Sequence, residues 1–231
     1  MLRLCSLKLY DGAKRMFSRL MQSCIKNPGL PQNFKNSRFN IGLTNSPIGK
    51  GSADLIDIFI DHLGNAQDAT KGKGVLIVGF GDTVSEIVAV AHALPNVSRL
   101  YCAEAIGEHI DQAARTIETT LPLLRGRITF CHAVLSDLSP IGDESIALML
   151  GFGLSIHDGA AANACEIIRV LQPGGMACLA VDVRSEIQKA VVEHLSQRGT
   201  VSAPTPFYVL FQKAGTPIFQ QRLGALNLAA R

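Results

Sequence analysis

Two glycines one residue apart, Gly79 and Gly81, carry the strongest chemical signal in the chain. They follow directly on the apolar run Val75-Leu76-Ile77-Val78. After Asp82-Thr83, the residues Val84, Ile87, Val88 and His92 recur at helical spacing. A short, continuous, β-branched run reads as a strand buried on both faces of a parallel sheet. The unit is therefore strand, tight glycine turn, helix. Glycine accepts positive φ and, having no Cβ, lets a ligand approach the backbone. Amides at the start of the following helix would face that ligand. The bland alternative is a strand that ends in glycine for steric reasons alone. Metal chemistry is not expected: the six cysteines, at 5, 24, 102, 131, 165 and 178, form no CxxC pair, and no histidine spacing suggests zinc. Cys102, Cys131 and Cys178 fall in predicted strands and read as small buried hydrophobes of a reducing compartment.

The elements that must position this turn follow from size and pattern. A chain of 231 residues fits one sizeable α/β domain with modest extensions. No apolar run approaches the length of a membrane span, so a soluble, cytoplasmic protein is expected. Charge is uneven. Residues 1–40 carry eight Lys/Arg against the single acid Asp11, and the remainder carries fourteen against eighteen. The reading is a basic N-terminal segment, residues 1–50, ahead of a mildly acidic domain, residues 51–231. Met1 to Cys24 patterns as an amphipathic helix, and either a cap on the domain or an organelle-targeting peptide fits it. Asn27 to Lys50 is turn-rich. From Ser52, the residues Ala53, Leu55, Ile56, Phe59, Ile60 and Leu63 form a helical face, and Asn65 to Gly74 reads as a polar connector.

Beyond the glycine turn, strands are expected at Arg99–Ala103 (ending on Glu104), Arg127–Ala133, Ser145–Leu150, Met176–Val181 and Phe207–Gln212. Helices are expected at Glu108–Thr120, Ala160–Leu171 and Ser185–Arg198. Gln172-Pro173-Gly174-Gly175 reads as a turn. Strands alternating with helices give a doubly wound, mostly parallel Rossmann-like sheet with helices on both faces, here with an N-terminal helical extension.

These landmarks together resemble the class I S-adenosylmethionine-dependent methyltransferases, from about Leu55 to Lys213. The matching stretches are VLIVGFGD, YCAEA, ITFCHAVLSDLS and LQPGGMACLAV. The resemblance implies S-adenosyl-L-methionine as cofactor, bound outside the carboxyl ends of the strands. Gly79, Phe80 and Gly81, with Asp82, would pass under its methionine and ribose parts. Glu104 lies where the family keeps an acid that accepts hydrogen bonds from the ribose hydroxyls. Ala105 and Ile106 would flank the adenine, and the Val134 and Leu135 amides would meet its edge. Gly151 and Phe152 would line the far side. His157, at the rim where family members place acceptor-facing groups, is the base candidate, ahead of His132.

The chain also departs from the family pattern. Ile77 stands where an acid is frequent, Thr83 replaces a third glycine, Val134 replaces an Asp (with Asp137 as a displaced candidate), and Ala147 replaces another. Four readings stay open. The first is a methyltransferase with a small-molecule acceptor. The second is a methyltransferase-like scaffold without turnover, favoured by the missing acids. The third is an aminopropyl or aminocarboxypropyl transferase, which the GFGD loop resembles. The last is a nicotinamide-dependent oxidoreductase, weakened because GxGxxG fails at Val84. Nucleic acid is not supported as a partner, since no Asn-Pro-Pro-aromatic motif follows the fourth strand. A homodimer is admitted.

Overall fold

The computed structural model describes residues 60, 63–81, 84–152, 159–180, 186–205 and 208–219. The N-terminal cap, most of the helical face from Ser52, and the candidates Asp82 and His157 lie outside the described residues.

A short helix α1 (Ala66–Thr70) leads into strand β1 (Gly74–Val78), which is followed by helix α2 (Ser85–Ala93) and strand β2 (Arg99–Glu104). Helix α3 (Gly107–Thr120) and a 3-10 turn (Pro122–Arg127) precede β3 (Ile128–His132). Then come β4 (Ile146–Gly151), α4 (Ala160–Val170), β5 (Leu171–Ala180), α5 (Glu186–Ser196), β6 (Gly199–Thr205) and β7 (Tyr208–Lys213). The strands form one seven-stranded sheet in the order β3-β2-β1-β4-β5-β7-β6. β1 through β5 pair in parallel, while β7 runs antiparallel to both β5 and β6.

All five residues of β1 are buried, because it lies between β2 and β4 and is covered on both faces. Its side chains alternate. Val75 and Ile77 join Leu148, Leu150 and Met176 under Ile87 and Val90 of α2 and Ala113 and Ile117 of α3. Leu76 and Val78 join Met149, Ala177 and Leu179 under Ala164, Ile167 and Val170 of α4 and Val191 and Leu195 of α5. Each such Val, Leu or Ile contributes about 1.5–3 kcal/mol by leaving water. The doubly wound sheet expected from the sequence is the one observed.

Four local readings need correction. Asn65–Gly74 is not all connector: Ala66–Thr70 is helical and buries Ala66, Ala69 and Thr70. Arg127 belongs to the 3-10 turn rather than to β3. Gln172-Pro173-Gly174-Gly175 is not a turn between helix and strand, because β5 begins at Leu171 and carries these residues as an irregularity in its register with β4. Gly174 has φ +74°, and any Cβ there would run into the Thr216 carbonyl. A Cβ on Gly175 would lie 2.8 Å from the Gln172 carbonyl oxygen. Finally, Gly199–Thr205 is a strand that the pattern did not announce. Its Gly, Ser, Ala and Pro residues have low β propensity, and it forms the sheet edge, where such residues are tolerated.

Candidate functional site

Strand order reverses around β1: β2 lies on one side of it and β4 on the other. Such a switch point opens a crevice beyond the carboxyl ends of the strands. The backbone laces that rim together. Gly79 N–H donates to the Ala103 carbonyl (3.0 Å), Ala133 N–H to the Glu104 carbonyl (3.1 Å), and Phe152 N–H to the Val78 carbonyl (2.8 Å). Gly79 and Gly81 take φ values of +71° and +70°, a region L side chains rarely adopt, so glycine is required at both positions.

Glu104 is the centre of the arrangement. It is only 7% exposed, and its carboxylate accepts three backbone N–H bonds. Gly81 donates to Oε2 at 2.9 Å, while Ala105 and Ile106 donate to Oε1 at 2.9 and 3.2 Å. The bonds lock the side chain in one orientation between the glycine loop and the start of α3. A carboxylate offers roughly four acceptor positions. Oε2, with the Gly81 bond alone among the described residues, keeps room for a ligand hydroxyl. Beside it, His109 Nδ1 stands 3.9 Å from Oε1, too far for a hydrogen bond, and is buried without a partner among the described residues. The sequence reading passed over His109; only its place one turn into α3 hinted at it.

Apolar surface lies next to these polar groups. Ile106 (48% exposed) and Val134 (37%) follow the ends of the neighbouring strands β2 and β3. Large apolar side chains left open at a rim of convergent polar groups are a usual feature of small-molecule sites. The His132 ring is exposed, and its Nε2 lies 2.9 Å from the Ala105 carbonyl, so Nε2 carries the proton and donates. His132 ends β3, with both β2 and β1 between it and β4, and the bond to Ala105 leaves Nδ1 as its unprotonated nitrogen.

The remaining predicted residues divide. Gly79, Gly81, Glu104, Ala105 and Val134 gather at this rim. Phe80 does not present its ring there. The side chain is fully buried in the core, 6.1 Å between centroids from Phe130, so only its backbone faces the crevice. Phe152 is likewise 2% exposed and packed in the core, and Gly151 is the buried last residue of β4. The Leu135 side chain is buried, while its amide sits in the turn after β3. Asp137 is fully exposed and turned onto Ser139, whose N–H lies 3.0 Å from Oδ1; that bond holds the carboxyl below its ordinary range. Ile77 and Ala147 are fully buried. Cys102, Cys131 and Cys178 are buried as expected, and burial pushes the thiols of Cys102 and Cys178 up. Among the described residues no cluster of His, Cys, Asp and Glu could hold a metal, and no helix is long and apolar enough to cross a membrane.

No family model matches the chain, and no curated protein matches it in sequence. Solved structures do. One, from Methanococcus maripaludis and assigned as an S-adenosyl-L-methionine-dependent methyltransferase, is 15% identical with a TM-score of 0.55, covering 79% of this chain and 91% of its own. Geranyl diphosphate C-methyltransferase from Streptomyces coelicolor A3(2), in complex with Mg2+, geranyl diphosphate and S-adenosyl-L-homocysteine, is 12% identical with a TM-score of 0.56. It covers 71% of this chain and 79% of its own. A geranyl diphosphate methyltransferase in complex with S-adenosylmethionine is 11% identical with a TM-score of 0.54, covering 84% and 94%. Likeness at these identities carries the fold and nothing finer: the chain has the fold of the class I S-adenosylmethionine-dependent methyltransferases.

Proposed function

We propose that the chain is an S-adenosylmethionine-dependent methyltransferase with a small-molecule acceptor. The observation that carries this reading is Glu104, a buried carboxylate held by backbone amides beside the glycine loop, with acceptor capacity left on Oε2. A vicinal diol fits that capacity. The glycine backbone at 79 and 81 offers close approach without a Cβ, and Ile106 and Val134 offer apolar faces for a flat base. When bound, the cofactor supplies a methyl group already activated on a sulfonium. The residues' work is then to orient and to exclude water, which is where such a reaction gains its rate. Glu104 fixes the ribose, Gly79 to Asp82 line the methionine end, Ala105 and Ile106 flank the base, and the Val134 and Leu135 amides meet its edge. Gly151 and Phe152 close the far side through their backbone. His157 is the proposed base for acceptors that must lose a proton. Residues 1–50 are proposed to cover the acceptor side, since the stretches after the fourth and fifth strands are short.

Two of the structural neighbours are named for geranyl diphosphate, a small molecule, which agrees with the acceptor class without specifying the acceptor. Calorimetry on the full chain with S-adenosylhomocysteine and with NAD tests the reading. Binding of the first and not the second is expected, and the reverse preference would overturn it. A scaffold without turnover is the second reading, favoured by Ile77 and Ala147, fully buried apolar residues where acids are frequent. Cofactor binding with no transfer of labelled methyl to any acceptor in a cell extract would favour it.

A further inference from the structure

The turn after β3 is held at both ends, and the outer end is held by helix α4. Glu166 and Arg169, three residues apart on that helix, pair with each other: Arg169 Nε donates to Glu166 Oε1 at 2.7 Å and Nη2 to Oε2 at 2.8 Å. Both then reach to one residue just beyond the turn, Leu138. Glu166 Oε2 accepts the Leu138 N–H at 2.7 Å, and Arg169 Nη2 donates to the Leu138 carbonyl at 2.9 Å. Arg169 Nη1 donates to the Ile141 carbonyl at 2.9 Å and to Asp143 Oδ1 at 2.6 Å. Both backbone polar groups of Leu138 are thus taken by this one ion pair, while its side chain is fully buried.

Just before Leu138 lies a four-residue turn, in which Asp137 N–H donates to the Val134 carbonyl at 3.0 Å. Its inner end is fixed as well, by Ala133 N–H on the Glu104 carbonyl. In such a turn the amide of the second residue points away from the closing bond. That residue is Leu135, whose N–H has no acceptor among the described residues. Beside it the Val134 side chain is 37% exposed, at the same rim as Glu104.

We infer that Arg169 and Glu166 are positioning residues for recognition of the cofactor's base, fixing the Leu135 N–H toward the ring nitrogen that adenine offers as an acceptor. The inference rests on the cofactor reading given above. The two residues touch no ligand themselves; they set where the turn stands. Adenine N1 accepts a hydrogen bond, whereas N1 of hypoxanthine carries a proton and opposes an amide donor. A fixed amide therefore discriminates between the two bases, and a loose one does not.

Calorimetry on the full chain, with S-adenosylhomocysteine and S-inosylhomocysteine as the two probes, tests this. The wild type is expected to prefer the adenosine compound by about tenfold or more. Arg169→Lys cannot span the same acceptors with a planar fork. It is expected to lose most of that preference, through weaker adenosine binding, with the inosine compound changing less than about twofold. Glu166→Gln, which keeps an oxygen for Leu138 but loses the charge, is the milder second variant should the first fold poorly, and its loss is expected to be partial. Thr70→Ala serves as the control for stability alone. It removes a buried hydroxyl bond to the Ala66 carbonyl (2.7 Å) within α1, outside the Glu166–Arg169 network. It is expected to lower the melting temperature while keeping the wild-type preference. If folded Arg169→Lys and Glu166→Gln keep the preference, or lose affinity equally for both probes, the ion pair is structural only and the inference is wrong. If the wild type binds neither probe, the cofactor reading itself fails and the inference falls with it.

Discussion

The Gly81 N–H donates to Glu104 Oε2 at 2.9 Å, so the glycine loop after β1 and the acid that ends β2 form one hydrogen-bonded unit. A residue that would otherwise serve only a ligand is also part of the loop's own support.

Glu104→Ala should cost both binding and stability. The change leaves the Gly81, Ala105 and Ile106 amides without their acceptor, and an unsatisfied buried group costs about 1–3 kcal/mol. Water reaches part of this site, so a total near the low end is expected for denaturant unfolding. Loss of the hydrogen bonds to the ribose should weaken S-adenosylhomocysteine by roughly 1.5–3 kcal/mol in calorimetry. A variant as stable and as tight-binding as the wild type would show that the carboxylate does neither job.

Gly81→Val opposes the backbone directly. At φ +70° a side chain adds roughly 1–2 kcal/mol of strain, and a β-branched one more. The loop should shift, and cofactor affinity should fall below detection in calorimetry. Retained affinity would move the site away from this turn.

Ile106→Asp separates binding from folding in the opposite sense. The side chain is 48% exposed and stands at the N-cap of α3, where Asp is a favoured residue, so stability should hold or rise by about 1 kcal/mol. An acid on the apolar flank of the base should nonetheless weaken cofactor binding by about tenfold. Unchanged binding would remove Ile106 from the site.

Acid should loosen the outer end of the turn after β3. The Arg169 hydrogen bonds hold the Glu166 carboxyl below its ordinary range, against a smaller opposing effect of burial. A carboxyl depressed in the folded state contributes stability above its unfolded pKa, near 4.3, and loses it as pH falls through the lower folded value. Stability measured by urea unfolding should therefore decline below about pH 4, and Glu166→Gln should flatten that decline. An identical acid limb in the variant would mean that other carboxylates set it.

The parts of the fold that were legible in the sequence are those where one physical requirement dominates. Val75 to Val78 must be apolar throughout because β1 is buried on both faces, and the helix after it shows its spacing because α2 has one face in the core. Glu104 was visible as an acid at a strand end, but its grip on three amides was not, since those bonds are made by backbone. Phe80 was legible as a loop residue only: its position says nothing of its ring, which fills the core against Phe130. The ion pair of Glu166 and Arg169 is readable as two charges on one helix turn. Its partner Leu138 lies 28 residues from Glu166 and meets it through main-chain atoms that no side-chain pattern records. β6 escaped because an edge strand needs little apolar character.

The antiparallel placement of β7 has a consequence for the order in which the chain is made. β5 lies between β4 and β7 and is buried along Gly174 to Leu179, yet β7 begins only at Tyr208. While a ribosome is still synthesising the stretch up to Tyr208, one edge of β5 has no partner, and its apolar residues Met176, Ala177, Cys178 and Leu179 line it. A bare apolar edge of that kind pairs readily with other chains. Protection from aggregation during synthesis therefore arrives late, with the hairpin of β6 and β7 that closes the sheet.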